Sequence, residues 1–232
     1  MTTDCRLLVT SDKKVPMPNL KINQRIMEVG LIPVVRASST DEASAIVEAI
    51  KSGGVSVLEI TMTVPGAIRL IERIAERYGS DVLLGAGTVL DAETARAVIL
   101  AGAEFVVTPS LRLSTIEVCK RYSKVVIPGA LTPTEVITAW EAGADFVKVF
   151  PCDNVGGPKY IRALKGPFPQ IDFIPTGGVN LNTAAEFIAA GSAALAVGSE
   201  LVDKKAVAAK EFAKITENAR KFSEAVRTAR SR

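Results

Sequence analysis

The sequence predicts one α/β domain of the (β/α)8 TIM barrel class, and three observations predict it. Eight short apolar runs recur about every 23 residues, the length of one βα unit. Between most of them lies an amphipathic stretch that a capping residue opens and a glycine closes. No second domain is visible in the 232 residues. The alternative, an open doubly wound sheet, needs helices on both faces and no closure, and eight regular units favour the barrel.

Taken in order, residues 1–18 carry Asp12-Lys13-Lys14, Pro16 and Pro18 without periodicity, and read as a mobile extension before a barrel domain at 19–232. Leu20, Ile22, Ile26, Met27 and Val29 suit a short leading helix closed by Gly30. Strands are expected at 32–36, 55–61, 82–85, 105–108, 125–128, 146–150, 171–175 and 194–198. Helix entries are marked by Ser39-Thr40-Asp41-Glu42, Asp91-Ala92-Glu93, Thr132-Pro133-Thr134-Glu135 and Asn180-Leu181-Asn182, where a short polar side chain can cap free amides. Exits are marked by Gly53-Gly54, Gly102, Gly143 and Gly191. Arg220, Lys221, Arg227, Arg230 and Arg232 are spaced as the wet face of a final helix.

Composition removes several function classes. Hydrophobic residues make up 48% and charged residues 23%, enough for a large core. A net charge of +3, with no basic stripe interleaved with aromatics, gives no sign of a nucleic-acid partner. No apolar run is long enough to span a membrane, and the stretch from Met1 to Lys14 lacks a signal-peptide pattern, so a cytoplasmic protein is expected. Cys5, Cys119 and Cys152 form neither an even set nor a metal-ligand spacing and read as reduced thiols; Cys152 fits a site wall better than a nucleophile. There is no histidine, which excludes Ser-His and Cys-His catalysis and leaves carboxylates and lysine to move protons.

The chemistry centres on Asp145-Phe146-Val147-Lys148-Val149-Phe150-Pro151, an apolar strand with a lysine in its middle. An ammonium buried there must be paired, neutral or used. Desolvation lowers a lysine pKa, and the neutral amine is what attacks a carbonyl to form a Schiff base. Counting five residues on from Gly54, Gly102, Gly143 and Gly191 reaches Glu59, Val107, Lys148 and Ala196 on alternate strands. Alternate strands supply one interior layer of a barrel, so Glu59 and Lys148 are expected to face each other across its axis. The competing readings are a lysine that snorkels from a strand end and a purely structural buried ion pair.

Two further features favour a site. Thr176-Gly177-Gly178-Val179-Asn180 and Gly198-Ser199 follow the seventh and eighth strands, where glycine lets an anion approach exposed amides and phosphate binding is common. Arg36, Thr61, Thr63, Thr88 and Thr108 before Pro109 end other strands at the same mouth, although each threonine alone could be a helix cap.

As a set, Pro33-Val34-Val35-Arg36, Val57-Leu58-Glu59-Ile60-Thr61, Gly85-Ala86-Gly87-Thr88-Val89-Leu90, Phe146-Val147-Lys148-Val149-Phe150-Pro151 and Pro175-Thr176-Gly177-Gly178 resemble the class I 2-keto-3-deoxy-6-phosphogluconate (KDPG) and 4-hydroxy-2-oxoglutarate (KHG) aldolases. The resemblance runs from Asn19 to about Val202. It implies a Schiff base on Lys148, proton transfer by Glu59, a carboxylate site at Thr88, a face-selecting role for Thr176 and phosphate binding by Gly177, Gly178, Gly198 and Ser199. Arg36, Thr63, Pro109 and Phe150 complete the expected substrate-binding set. The resemblance further implies a 2-keto acid substrate, most often phosphorylated, no metal or other cofactor, and a homotrimer.

One position departs from the family. Where sugar-acid members commonly carry an arginine, two residues after the threonine of Leu58-Glu59-Ile60-Thr61, this chain has Thr63, and a hydroxyl cannot form a bidentate charged clamp. Carboxylate binding then falls to Thr88 and Arg36, or the substrate differs. Rival readings are an isomerase or synthase that uses Lys148 and Glu59 as acid and base without a covalent intermediate, and a non-catalytic barrel that binds a sugar phosphate.

Overall fold

The computed structural model describes residues 17–231. Most of the expected extension, and Cys5 with it, lies outside the described residues. The leading helix α1 (Met17–Val29) begins slightly before residue 19, where the domain was expected to start.

Helices and strands then alternate. In order they are β1 (Leu31–Val35), α2 (Thr40–Ser52), β2 (Val57–Thr61), α3 (Ala67–Tyr78), β3 (Leu83–Gly87), α4 (Ala92–Leu100), β4 (Phe105–Val107), α5 (Leu113–Arg121), β5 (Val125–Ile127) and β6 (Gly129–Ala130). The second half has α6 (Pro133–Glu141), β7 (Val147–Val149), α7 (Pro158–Lys165), β8 (Phe173–Pro175), α8 (Ala184–Ala189), β9 (Leu195–Val197), α9 (Lys204–Ala208) and α10 (Phe212–Arg230). Six strands form one parallel sheet, in the order β5-β4-β3-β2-β1-β9, curled as half a barrel. A second parallel sheet has the order β6-β7-β8.

The fifth expected strand is divided at Pro128, which has no N–H to give to a ladder. Its carbonyl still accepts Lys148 N–H at 2.9 Å, while Val126 O accepts Asp145 N–H at 3.1 Å. Two isolated parallel bridges, Phe173 to Ser192 and Thr176 to Ala196, lie between the β8 and β9 segments.

Local signals explain most boundaries. Ser39 accepts Glu42 N–H, Asp91 accepts Thr94 N–H, and Thr132 and Glu135 form a reciprocal capping box. Asn180 does not open a helix: its Oδ1 accepts Asn182 and Thr183 N–H in a turn, and α8 starts at Ala184. Gly102 and Gly143 follow their helices at φ 105° and 94°, a left-handed exit that a Cβ disfavours.

Strand alternation divides the core in two. Val35, Leu58, Ile60, Leu84, Ala86, Val106, Val126, Val147 and Val149 belong to a larger cluster that also takes in the buried helix faces. Ile32, Val34, Val57, Leu83, Phe105, Val107, Val125, Ile127, Phe146, Ile174, Ala194 and Ala196 form a second, on the inner face of the strands. Ile22 and Ile26 of α1 join that inner cluster, and each such burial contributes roughly 1.5–3 kcal/mol. Among the described residues no helix is long and apolar enough to cross a membrane.

Candidate active site

Period-two alternation gives Lys148 the parity of Phe146, and Glu59 that of Val57. Both are buried, at 6% and 2% exposure. Glu59 lies opposite Val34 and Gly85 in its sheet, and Lys148 opposite Gly129 and Ile174. Val107 and Ala196, the other two members of the expected layer, are in the inner apolar cluster.

Electrostatics set the pair apart from an ordinary ion pair. Burial pushes the Lys148 pKa below the usual lysine range, with Arg36 acting in the same direction and Glu59 against it. Burial pushes the Glu59 pKa above the usual carboxyl range, opposed by Lys148 and Arg36. No ion pair within 4.0 Å joins them, and neither side chain makes a hydrogen bond among the described residues. The Phe150 ring centroid lies 5.0 Å from Lys148 Nζ and walls the amine on one side. A buried amine biased toward its neutral form beside a carboxyl biased toward its protonated form is suited to carbonyl addition and proton transfer.

A cavity of about 330 Å³ opens at the C-terminal ends of the strands. Its lining includes Ala196, the layer-mate of Lys148, and seven expected site residues: Arg36, Phe150, Thr176, Gly177, Gly178, Gly198 and Ser199. Thr176 is 7% exposed, and its Oγ1 has no hydrogen-bond partner among the described residues. A buried hydroxyl left unpaired is costly unless a ligand completes it.

The sequence model for KDPG and KHG aldolases matches residues 22–218. The chain belongs to the KDPG and KHG aldolase family. It is 35% identical over 197 residues to the 2-dehydro-3-deoxy-phosphogluconate aldolase of Treponema pallidum (strain Nichols), covering 85% of this chain and 93% of the relative. To the 2-dehydro-3-deoxy-6-phosphogalactonate aldolase of Escherichia coli (strain K12) it is 39% identical over 172 residues, 74% of this chain and 83% of the other. Among solved structures, KDPG aldolase from Legionella pneumophila, with pyruvate captured at low pH as a covalent carbinolamine intermediate, superposes with a TM-score of 0.80 at 30% identity. That match covers 86% of this chain and 96% of the Legionella chain.

Five residues expected from the family pattern, Lys148, Glu59, Thr63, Thr88 and Pro109, are not among those lining this cavity; Phe150, whose ring lies over the Lys148 amine, connects that buried pair to it. Thr88 holds a left-handed backbone at φ 57°, an outlier for a β-branched residue. Pro109 has its backbone so close to Gly129 that a Cβ there would stand 2.4 Å from its carbonyl carbon. Thr63 is exposed and linked to buried Thr61, whose hydroxyl donates to Val35 O at 3.1 Å and lies 2.6 Å from Thr63 Oγ1. Either hydroxyl of the Thr61–Thr63 pair can be the donor, so the bond engages the Thr63 hydroxyl with Thr61.

Other lining residues escaped the family pattern. Asp153 and Glu200 bring carboxylates to the cavity, and Lys204 shares a smaller neighbouring cavity of about 40 Å³ with Arg36, Gly198 and Ser199. An acid five positions beyond Lys148 is visible in the sequence, but its approach to Gly177 comes from the turn Asp153–Val155, which spacing does not reveal. Cys152 is buried with its thiol pushed up to about 12 by burial, as suits a wall residue.

Proposed function

We propose that this family member is a class I aldolase that cleaves a 2-keto-3-deoxy sugar acid, with 2-dehydro-3-deoxy-6-phosphogluconate giving pyruvate and glyceraldehyde 3-phosphate, or 4-hydroxy-2-oxoglutarate giving pyruvate and glyoxylate. The observation that carries this reading is Lys148: a buried strand lysine with no salt-bridge partner among the described residues, near a buried carboxyl, its amine covered by the Phe150 ring that lines the adjoining cavity.

Neutral Lys148 attacks C2 of the keto acid, and Glu59 gives its proton to the carbinolamine hydroxyl, which leaves as water. The iminium so formed is an electron sink. Glu59, now a carboxylate, takes the C4 hydroxyl proton; the C3–C4 bond breaks, its electrons pass into the enamine, and the aldehyde departs. Protonation at C3 and hydrolysis return pyruvate and the free amine.

Binding roles follow the geometry. Arg36 lines the cavity with Gly177, Gly178, Gly198 and Ser199, so it is assigned to the anionic far end of the substrate. The carboxylate of the pyruvate half is assigned to Thr88, since the Thr63 hydroxyl is engaged by Thr61. The free hydroxyl of Thr176 reads the face of the aldehyde.

The architecture in this reading is one closed (β/α)8 barrel domain after a short extension. Pro128 joins β5 to β6 as a single barrel strand, and the bridges from Phe173 and Thr176 link β8 to β9. A cytoplasmic homotrimer is the assembly that the family resemblance favours, and light scattering on the purified protein tests the trimer.

The deciding experiment is intact mass after incubation with pyruvate and cyanoborohydride, followed by peptide mapping. A pyruvate-sized adduct on the peptide holding Lys148 is expected. Folded protein that binds phosphate esters yet forms no adduct would sink the covalent mechanism and leave acid–base chemistry on the same scaffold.

A further inference from the structure

Glycine is a poor residue for a strand, because it loses the most backbone freedom on folding and brings no side chain to pack. Gly87 nonetheless ends β3, and its backbone is not left-handed, so no conformational need selects glycine there. Space does. A Cβ built on Gly87 would stand 2.5 Å from Glu59 Oε1, 2.7 Å from its Cδ and 3.1 Å from its Oε2. All three nearest atoms belong to one carboxyl group, and two are nearer than a methyl can approach.

Gly85, two residues earlier on the same strand, is the contrast. The three atoms nearest a Cβ there all belong to the ring of Phe105, at 2.2, 2.3 and 2.5 Å, which is a matter of apolar packing. In sheet register Glu59 lies opposite Gly85, yet its carboxyl reaches as far as Gly87, one inward step closer to the mouth. Gly87 cannot retreat: it pairs with Thr61, and its carbonyl accepts Met62 N–H at 2.8 Å.

We infer that Gly87 is a positioning residue whose missing side chain is the seat of the Glu59 carboxyl, holding that group toward the mouth and clear of an ion pair with Lys148. The inference rests on the proposed role of Glu59 as the proton carrier. A methyl at position 87 would push the carboxyl out over the cavity, into a wetter place. The geometry of proton transfer and the burial that raises the Glu59 pKa would be disturbed together.

The test is a cycle of Gly87→Ala, Glu59→Ala and the double variant, assayed for cleavage of 2-dehydro-3-deoxy-6-phosphogluconate. Gly87→Ala is expected to lower kcat about 100-fold, the cost of a misplaced group, while KM moves less than about 3-fold and the pyruvate adduct on Lys148 still forms. The limb of the pH profile that reports Glu59 should move to lower pH. In the Glu59→Ala background the same methyl enters vacated space, and its further cost should be under about 3-fold. Equal losses in the two backgrounds would overturn the inference.

If Gly87→Ala fails to fold, melting decides. The double variant should melt within about 2 °C of Glu59→Ala, and a double variant as unstable as Gly87→Ala would overturn the seat. Wild-type protein that forms no pyruvate adduct would instead refute the aldolase mechanism, and the melting comparison would still judge the seat on its own.

Discussion

The two ends of the strands treat charge in opposite ways. At the N-terminal end two guanidiniums are each held by three backbone carbonyls. Arg25 donates to Ser80 O and Asp81 O at 2.6 Å each and to Ser56 O at 3.3 Å. Arg230, from the last helix, donates to Met27 O, to Glu28 O at 3.0 Å and to Ala193 O at 2.6 Å. Toward the C-terminal end the side chains of Lys148 and Glu59 are more deeply buried and make no hydrogen bond among the described residues. The difference separates groups that hold the fold from groups the fold must hold, because an unpaired buried polar group costs stability and is kept for its chemistry.

Replacing Lys148 should break that contrast most sharply. Lys148→Met is expected to lower aldol cleavage at least about 1000-fold by removing the covalent route, yet to raise stability by about 1–3 kcal/mol by removing a desolvated amine. Denaturant midpoints at pH 7 check the second half, and a variant less stable than wild type would mean that Lys148 is structural. The pH dependence has a definite sign. The folded-state pKa of Lys148 lies below its unfolded value of 10.5, so between the two the unfolded chain binds the extra proton and stability rises with pH. Cys119, Cys152 and Tyr78, each raised to about 12, act in the opposite sense at high pH, so the informative quantity is wild type minus Lys148→Met. That difference should rise from pH 7 to pH 10.

Glu59→Gln comes next. It keeps the shape and removes the titrating proton, so kcat should fall about 100-fold or more while mass spectrometry still finds the pyruvate adduct on Lys148. Here the folded-state pKa lies above the unfolded 4.5, so the native state holds the extra proton and wild type loses stability relative to the variant as pH rises through that window. Midpoints that stay parallel between pH 4 and pH 8 would mean that the Glu59 carboxyl is not desolvated.

The burial of Glu59, Val107, Lys148 and Ala196 with inner-face parity was legible in the sequence because strand parity and a repeating unit are arithmetic properties of a chain. The mouth was less so. Arg36 and Thr88 both directly follow strands, but the chain turns left-handed at Thr88, while Arg36 reaches over Gly198, where a Cβ would stand 3.3 Å from its Nη1. The proline that divides the fifth strand was in plain view, and the surviving carbonyl bond to Lys148 N–H was not. Asp153 beside Gly177 follows from two loop conformations at once, and residue spacing encodes neither.

At the N-terminal end the expected effect is smaller and purely structural. Arg230→Ala removes charge-assisted bonds that tie α10 to the end of α1 and to the residue two before β9. Because the side chain is partly in water, the loss should be about 1–2 kcal/mol in thermal melts, with kcat and KM within about 2-fold of wild type. A fall in activity larger than the fall in stability would tie the clasp to the mouth.

Thr88→Gly sharpens the comparison at a single residue, because there the fold bears a cost for the site through the backbone. A β-branched residue at φ 57° carries strain of order 1 kcal/mol, which glycine does not. Glycine also widens the unfolded ensemble, at a cost of roughly 0.5–1 kcal/mol, so Thr88→Gly should melt close to wild type. Thr88→Ala keeps a Cβ in the left-handed region and should be the less stable of the two variants. Both lose the hydroxyl assigned to the substrate carboxylate, so both should need about 10-fold more pyruvate for half-maximal trapping. Variants that differ in stability but share the binding defect would show strain and recognition meeting at Thr88. If trapping is unaffected in both, the carboxylate is held elsewhere, and the left-handed turn serves only to pass the chain from β3 toward α4.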